Sequence, residues 1–144
     1  MSGLDKKDIL IIRYLSEHGR DKISNISSSL GIPRATVFER IQKLVASGYI
    51  KKFTIEVDFE KLGLPILSYI LLHHGLGSVE DTLRRLSSLD CVVSAALTTG
   101  CWDIIMLTAH RSMKDLSDFV VNELQRLTGS GNFQILPVMR LEKQ

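Results

Sequence analysis

The sequence predicts an α+β chain in which a helix-turn-helix unit is followed by a βαββαβ sandwich. Three observations carry this expectation. Apolar residues recur at three- and four-residue spacing as far as Val45, then give way to aromatic and β-branched residues alternating with charge. Beyond Gly63, four strand-like apolar runs are interleaved with two amphipathic segments. Positive charge is concentrated between Arg20 and Lys52, where seven Lys/Arg face two Asp/Glu.

The elements follow in order. Leu4, Asp8, Ile11, Ile12 and Leu15 define a helix over roughly 5–18, with Asp5 and Asp8 at its positive end and His18-Gly19 closing it. Asp21 is placed to cap a short second helix carrying Ile23, Ile26 and Leu30 inward, and Gly31 ends it. Pro33 suits the first turn of a third helix, whose stripe is Val37, Ile41, Leu44 and Val45 before the stop at Gly48. Tyr49 to Val57 reads as a strand, and 51–62 as the connector between a first domain over 1–50 and a second over 63–144. In the second domain Ile66–Leu72 is a strand, 78–89 a helix, 91–98 and 102–109 two strands about a turn at Gly100, 113–127 a helix and 133–141 a last strand. That order is the split βαβ sandwich, with helices on one face of an antiparallel sheet.

The chain has 144 residues and 44% hydrophobic content, enough for one ordinary domain or two very small ones. Residues 1–62 carry eleven Lys/Arg against eight Asp/Glu, and 63–144 carry seven against eight, so the overall +2 conceals a basic first part. Two cysteines, Cys91 and Cys101, without CxxC spacing point to inert thiols in a reducing cytoplasm. Charged residues interrupt the N-terminal apolar positions, and no apolar run approaches membrane-spanning length. The expectation is a cytoplasmic protein with no membrane partner.

A tight turn joining two helices, the second amphipathic and basic, points to double-stranded DNA. The outward residues of the third helix are Arg34, Ala35, Thr36, Glu39, Arg40 and Lys43. Groove reading needs this division, with N-terminal side chains reaching base edges and nearby cations neutralising phosphate. The plain alternative is a solvated helix face. Lys51 and Lys52 extend the patch, although each alone is a common solubilising residue.

Enzyme readings gain little support. Gly75-Leu76-Gly77 completes neither GxGxxG nor a P-loop. His73 and His74, adjacent on a strand, would point to opposite faces and not share a metal. For His18, at a helix end, and His110, at a strand end, a structural role outweighs a metal-ligating one. Asp103 is a lone acid, read either as a functional carboxylate or as a turn residue bonding local backbone. Neither a catalytic group, a metal nor a cofactor is expected.

These residues together resemble the Lrp/AsnC (feast/famine) family of prokaryotic transcription regulators. The resemblance rests on Leu4-Asp5, Asp8, Ile11-Ile12, Leu15, Gly19-Arg20, Gly31-Ile32, Val37 to Leu44 with Glu39-Arg40, Gly48-Tyr49-Ile50 and Leu62-Gly63. In the second half Gly100-Cys101-Trp102-Asp103 resembles the family's Gly-x-x-Asp turn. It implies a winged helix-turn-helix, a ferredoxin-like regulatory (RAM-type) domain, a homodimer formed through its sheet, and assembly of four dimers into an octamer. It also implies an amino-acid effector bound near Thr99, Gly100, Cys101, Trp102 and Asp103, where the same turn equally fits an oligomer contact. Departures from the family pattern are Pro33 in place of a capping Ser, Lys52 where Gly is frequent, and a stretch at 130–135 without the usual Thr residues.

The expected function is therefore sequence-specific, dimeric transcription regulation. Two other classes compete with it: an architectural protein coating DNA with little sequence preference, and a small-molecule-sensing oligomer that regulates no particular gene.

Overall fold

A computed structural model of the chain describes residues 3–75, 77–129 and 132–142. Leu76 of the glycine pair, Ser130 and Gly131 of the Thr-poor stretch, and the last two residues of the second domain lie outside them. The chain forms two compact units, Met1–Glu56 and Val57–Gln144.

In the first unit, α1 (Lys6–Glu17), α2 (Ile23–Leu30) and α3 (Arg34–Ala46) close around Ile11, Ile26, Ile32, Val37 and Leu44. Asp5 caps α1 through a reciprocal capping box, accepting from the Asp8 N–H while the Asp8 carboxylate accepts from its own. Gly31 stops α2 in the left-handed conformation (φ +64°), which a Cβ would strain. The chain thus turns into α3 within three residues.

Several expectations need correction here. Asp21 caps nothing: α2 begins after Lys22 without a side-chain cap, and the Asp21 carboxylate accepts instead from the Tyr14 hydroxyl at 2.7 Å. Pro33 stands one residue before α3, where its missing N–H costs nothing and its carbonyl accepts from the Val37 N–H. Val45 is exposed, because the 100° step per residue turns it away from the core that holds Leu44. Residues 49–57 form no strand. Their alternation is real, but a strand exists only through a ladder, and among the described residues they make none. The connector instead contains a turn that Asp58 organises by accepting from the Lys61 N–H at 3.1 Å.

The second unit follows the expected order: β1 (Ile66–Leu72), α4 (Val79–Ser87), β2 (Val92–Leu97), β3 (Ile104–His110), α5 (Met113–Asp118) running through a π-helical stretch (Phe119–Leu124) into α6 (Gln125–Thr128), and β4 (Phe133–Pro137). The last strand is shorter than expected, ending at Pro137. The sheet is antiparallel in the order β2-β3-β1-β4. Ile70 pairs with Met106 and Ile135, and Leu72 with Ile104 and Phe133, so these side chains share one face. Leu86, Leu116, Phe119, Val120 and Leu124 cover that face from the helices. The opposite face carries Leu67, Tyr69, Leu71, Ile105, Leu107 and Leu136. Among the described residues, no helix is long and apolar enough to cross a membrane.

Ile70 is wholly buried at the centre of this core. Ile70→Ala should cost about 2 to 5 kcal/mol, from lost transfer energy and an unfilled cavity, read by urea denaturation. A loss below about 1 kcal/mol would mean that the helices collapse onto the sheet and that the packing is not tight.

Candidate functional site

The basic face is built on α3. Arg34, Ala35, Glu39 and Lys43 are exposed and Thr36 is half-buried, while Val37 and Leu44 anchor the opposite side in the core. Pro33 and the Gly31 turn bring the helix N-terminus to the surface, where Arg34 occupies the first turn. Lys51 and Lys52 are exposed past the helix end.

Arg40 differs from these cations and from its expected outward position. Its Nη1 donates to Asp5 Oδ2 at 2.5 Å and to Asp8 Oδ1 at 3.1 Å, and the Arg40 side chain is 29% exposed. Asp5 is held below the usual carboxylate range, first by the Asp8 N–H it caps and then by the guanidinium. The Arg40 pKa rises in turn through its bonds to Asp5 and Asp8.

In the second unit the turn after β2 is tied to the end of β1. Thr98 donates its N–H to the Asp103 carbonyl at 2.8 Å and its hydroxyl to the Trp102 carbonyl at 2.5 Å. Asp103 donates its N–H to the Leu72 carbonyl, and its Oδ2 accepts from the His74 N–H at 2.7 Å. The His73 ring stacks on Trp102, with centroids 4.6 Å apart, and lies 3.6 Å from Asp103 Oδ2. Thr99, Gly100 and Cys101 are exposed, and Gly100 holds φ +116°.

His73 and His74 therefore lie beyond β1, not on it; the His73 ring and the His74 backbone N–H meet the turn residues, while the His74 ring shares a hydrogen bond with the Gly77 carbonyl at 2.9 Å. Residue spacing alone did not mark them as part of this cluster. The split βαβ topology contained the signal, since pairing β3 beside β1 brings the start of one to the end of the other. His74 Nδ1 is buried without a hydrogen-bond partner.

A cavity of about 190 Å³ on the helical side is lined by Cys91, His110, Asp115, Phe119 and Glu123. His110 is buried, shares a hydrogen bond with Thr108 Oγ1 at 3.0 Å and lies 3.7 Å from Asp115 Oδ2. Desolvation lowers its pKa, against the opposing pull of Asp115. Burial and the charge of Glu123 push the Cys91 thiol up to about 11, leaving it protonated near neutrality. Among the described residues, no three His, Cys, Asp or Glu side chains gather where they could hold a metal.

Residues 4–51 match a family model described as winged helix-turn-helix DNA-binding, and residues 69–144 one described as the Lrp/AsnC ligand binding domain. The chain is 33% identical over 117 residues to the HTH-type transcriptional regulator FL11 of Pyrococcus horikoshii, covering 81% of this chain and 78% of that protein. The structure of AsnC from E. coli superposes with a TM-score of 0.81 at 25% identity, over 99% of this chain and 96% of that one. The Neisseria meningitidis transcriptional regulator NMB0573, solved as an L-Met complex, superposes with a TM-score of 0.86 at 23% identity, over 99% and 94% of the two chains.

The buried imidazole makes a pH prediction. Burial lowers the His110 pKa below its ordinary value of 6.5, so the unfolded chain binds the proton more readily than the fold does. The stability that is whole above 6.5 is lost as pH falls from that value through the lowered value of the folded state. The wild-type melting temperature should fall over this range more steeply than that of His110→Gln; parallel profiles would show that the imidazole is not desolvated.

Proposed function

The chain belongs to the Lrp/AsnC family of transcription regulators, and from that premise we propose that it is a homodimer whose two α3 helices read a pseudo-palindromic DNA site. The observation carrying this reading is the outward face at the start of α3, where Arg34, Ala35 and Glu39 are exposed and Thr36 is half-buried; in this reading these four reach base edges, and Lys43, Lys51 and Lys52 neutralise phosphate. In this reading residues 1–50 bind DNA, 51–62 connect, and 63–144 regulate and pair. The division into units at Glu56 and Val57 is compatible with it. The dimer contact is the helix-free sheet face, whose Tyr69, Leu71, Ile105 and Leu136 form an apolar surface of the kind that marks an interface. Four dimers assemble into an octamer, and the protein works in the cytoplasm by binding, without a catalytic step.

The second half of the reading is an amino-acid effector at Thr99 to Asp103. Support comes from the ligand-binding description of the matching domain, and from the amino acid held by the Neisseria protein. The chemistry is suitable: backbone N–H groups about Gly100 can take a carboxylate, and Asp103 can pair with an α-amino group. Because Asp103 Oδ2 already accepts from the His74 N–H, a ligand at this carboxylate couples to the end of β1.

For DNA, Lys43→Ala should weaken binding to all duplexes alike and lower the salt slope by about one counterion. Replacing Arg34 or Thr36 should instead change preference at particular base pairs by about 1 to 3 kcal/mol. Binding that ignores sequence in the wild-type chain would favour an architectural coat.

For the effector, each standard amino acid is titrated while Trp102 fluorescence and DNA affinity are followed. A true effector changes DNA affinity, and DNA changes effector affinity by the same factor. Asp103→Ala should abolish the response. An intact response in that variant would move the site elsewhere and leave the turn as an oligomer contact.

A further inference from the structure

The four carboxylate oxygens at the start of α1 are all in use, and the way they are divided bears on recognition. Asp5 Oδ1 accepts the Asp8 N–H at 2.9 Å and Asp8 Oδ2 the Asp5 N–H at 3.1 Å, which completes the cap. The two remaining oxygens, Asp5 Oδ2 and Asp8 Oδ1, both accept from Arg40 Nη1. The Asp8 side chain is only 8% exposed, so removing the guanidinium leaves a largely desolvated carboxylate uncompensated. Arg40 is 32 residues from Asp8 in sequence and sits in the middle of α3. The ion pair is thus a polar link between the capped end of α1 and the helix that carries Arg34 to Lys43.

Charge counting separates Arg40 from its neighbours. A cation releases counterions from DNA when its charge is free to neutralise phosphate. Arg40 already faces two carboxylates, so the triad carries net negative charge and the guanidinium charge is compensated within the fold before any phosphate approaches. Lys43, one helical turn further along, is exposed. Base reading, by contrast, depends on hydrogen bonds that tolerate only a few tenths of an ångström. A link that fixes the rotation and axial position of α3 therefore acts on discrimination between sequences.

We propose that Arg40 is a positioning residue for DNA recognition: clamped by Asp5 and Asp8, it sets the register of α3 in the groove and contributes specificity without contacting phosphate. This inference rests on the DNA-binding reading, and the test separates the two.

The full-length chain is measured against a random-sequence duplex across a salt series, and against the best duplex selected by the wild type. Arg40→Gln should leave the salt slope unchanged while the ratio of selected to random affinity falls at least about tenfold. Asp8→Asn should produce the same fall, and the double variant no further one, because both remove a single link. Arg40→Lys, which keeps the charge without the planar fork, should restore part of the ratio. Without DNA, amide exchange in α3 should accelerate equally in Arg40→Gln and Asp8→Asn, an arm that judges the clamp even if the variants bind poorly. A slope lowered by about one counterion in Arg40→Gln, additive losses, or unchanged exchange would each overturn the proposal. A wild-type chain with no duplex affinity would defeat the DNA-binding reading instead, leaving the exchange arm to decide the clamp.

Discussion

The antiparallel register of β1 between β3 and β4 is the constraint on which the second unit depends. Once Leu72 stands opposite Ile104 and Phe133, alternation sends Ile70, Leu72, Met106 and Ile135 toward the helices and Tyr69, Leu71, Ile105 and Leu136 to the other face. A slip of one residue would exchange the two sets and expose the core. The same register carries polar groups inward, since Ser68 and Thr108 are buried on the core face. They are tolerated because the Ser68 hydroxyl donates to the Tyr69 carbonyl, and the Thr108 hydroxyl donates to the Ser68 carbonyl and shares a bond with His110. It also decides where the candidate effector turn lies, because the residue after Leu72 must meet the residue before Ile104. His73 stacked on Trp102 and the His74 N–H on Asp103 are consequences of strand pairing.

The first unit is ordered by a different balance. Among the described residues its apolar core is small, five buried side chains, so the polar links around it matter more than they would in a larger domain. The capping box satisfies two N–H groups of α1 and leaves one oxygen on each carboxylate. Arg40 takes both, which makes helix capping and helix docking one arrangement. Basic residues of α3 thereby fall into two kinds: a guanidinium committed to the fold, and side chains at Arg34 and Lys43 that remain at the surface. Charge along a helix does not distinguish the two, because both kinds raise the local count equally.

Much of the fold was legible in local pattern. The three N-terminal helices, the Gly31 turn and the βαββαβ order follow from spacing and punctuation, which act over a few residues. Errors arose where a local preference had a stronger distant competitor or lacked a distant partner. Asp21 is a good cap by type, yet its carboxylate is taken by Tyr14 seven residues earlier. Tyr49 to Val57 alternates like a strand and has no ladder. Val45 belongs to the apolar stripe by composition and stands in water by rotation.

The sequence by itself determined the order of helices and, apart from 49–57, of strands, where basic charge gathers, and that Gly100 to Asp103 forms a turn, since these depend on backbone preference and side-chain period. Only the tertiary structure decided which charges are free and which residues join that turn. The Arg40 pair with Asp5 and Asp8 spans 35 and 32 residues, and the His74 bond to Asp103 spans 29. Contacts at such separation are created by chain folding, and no local period encodes them.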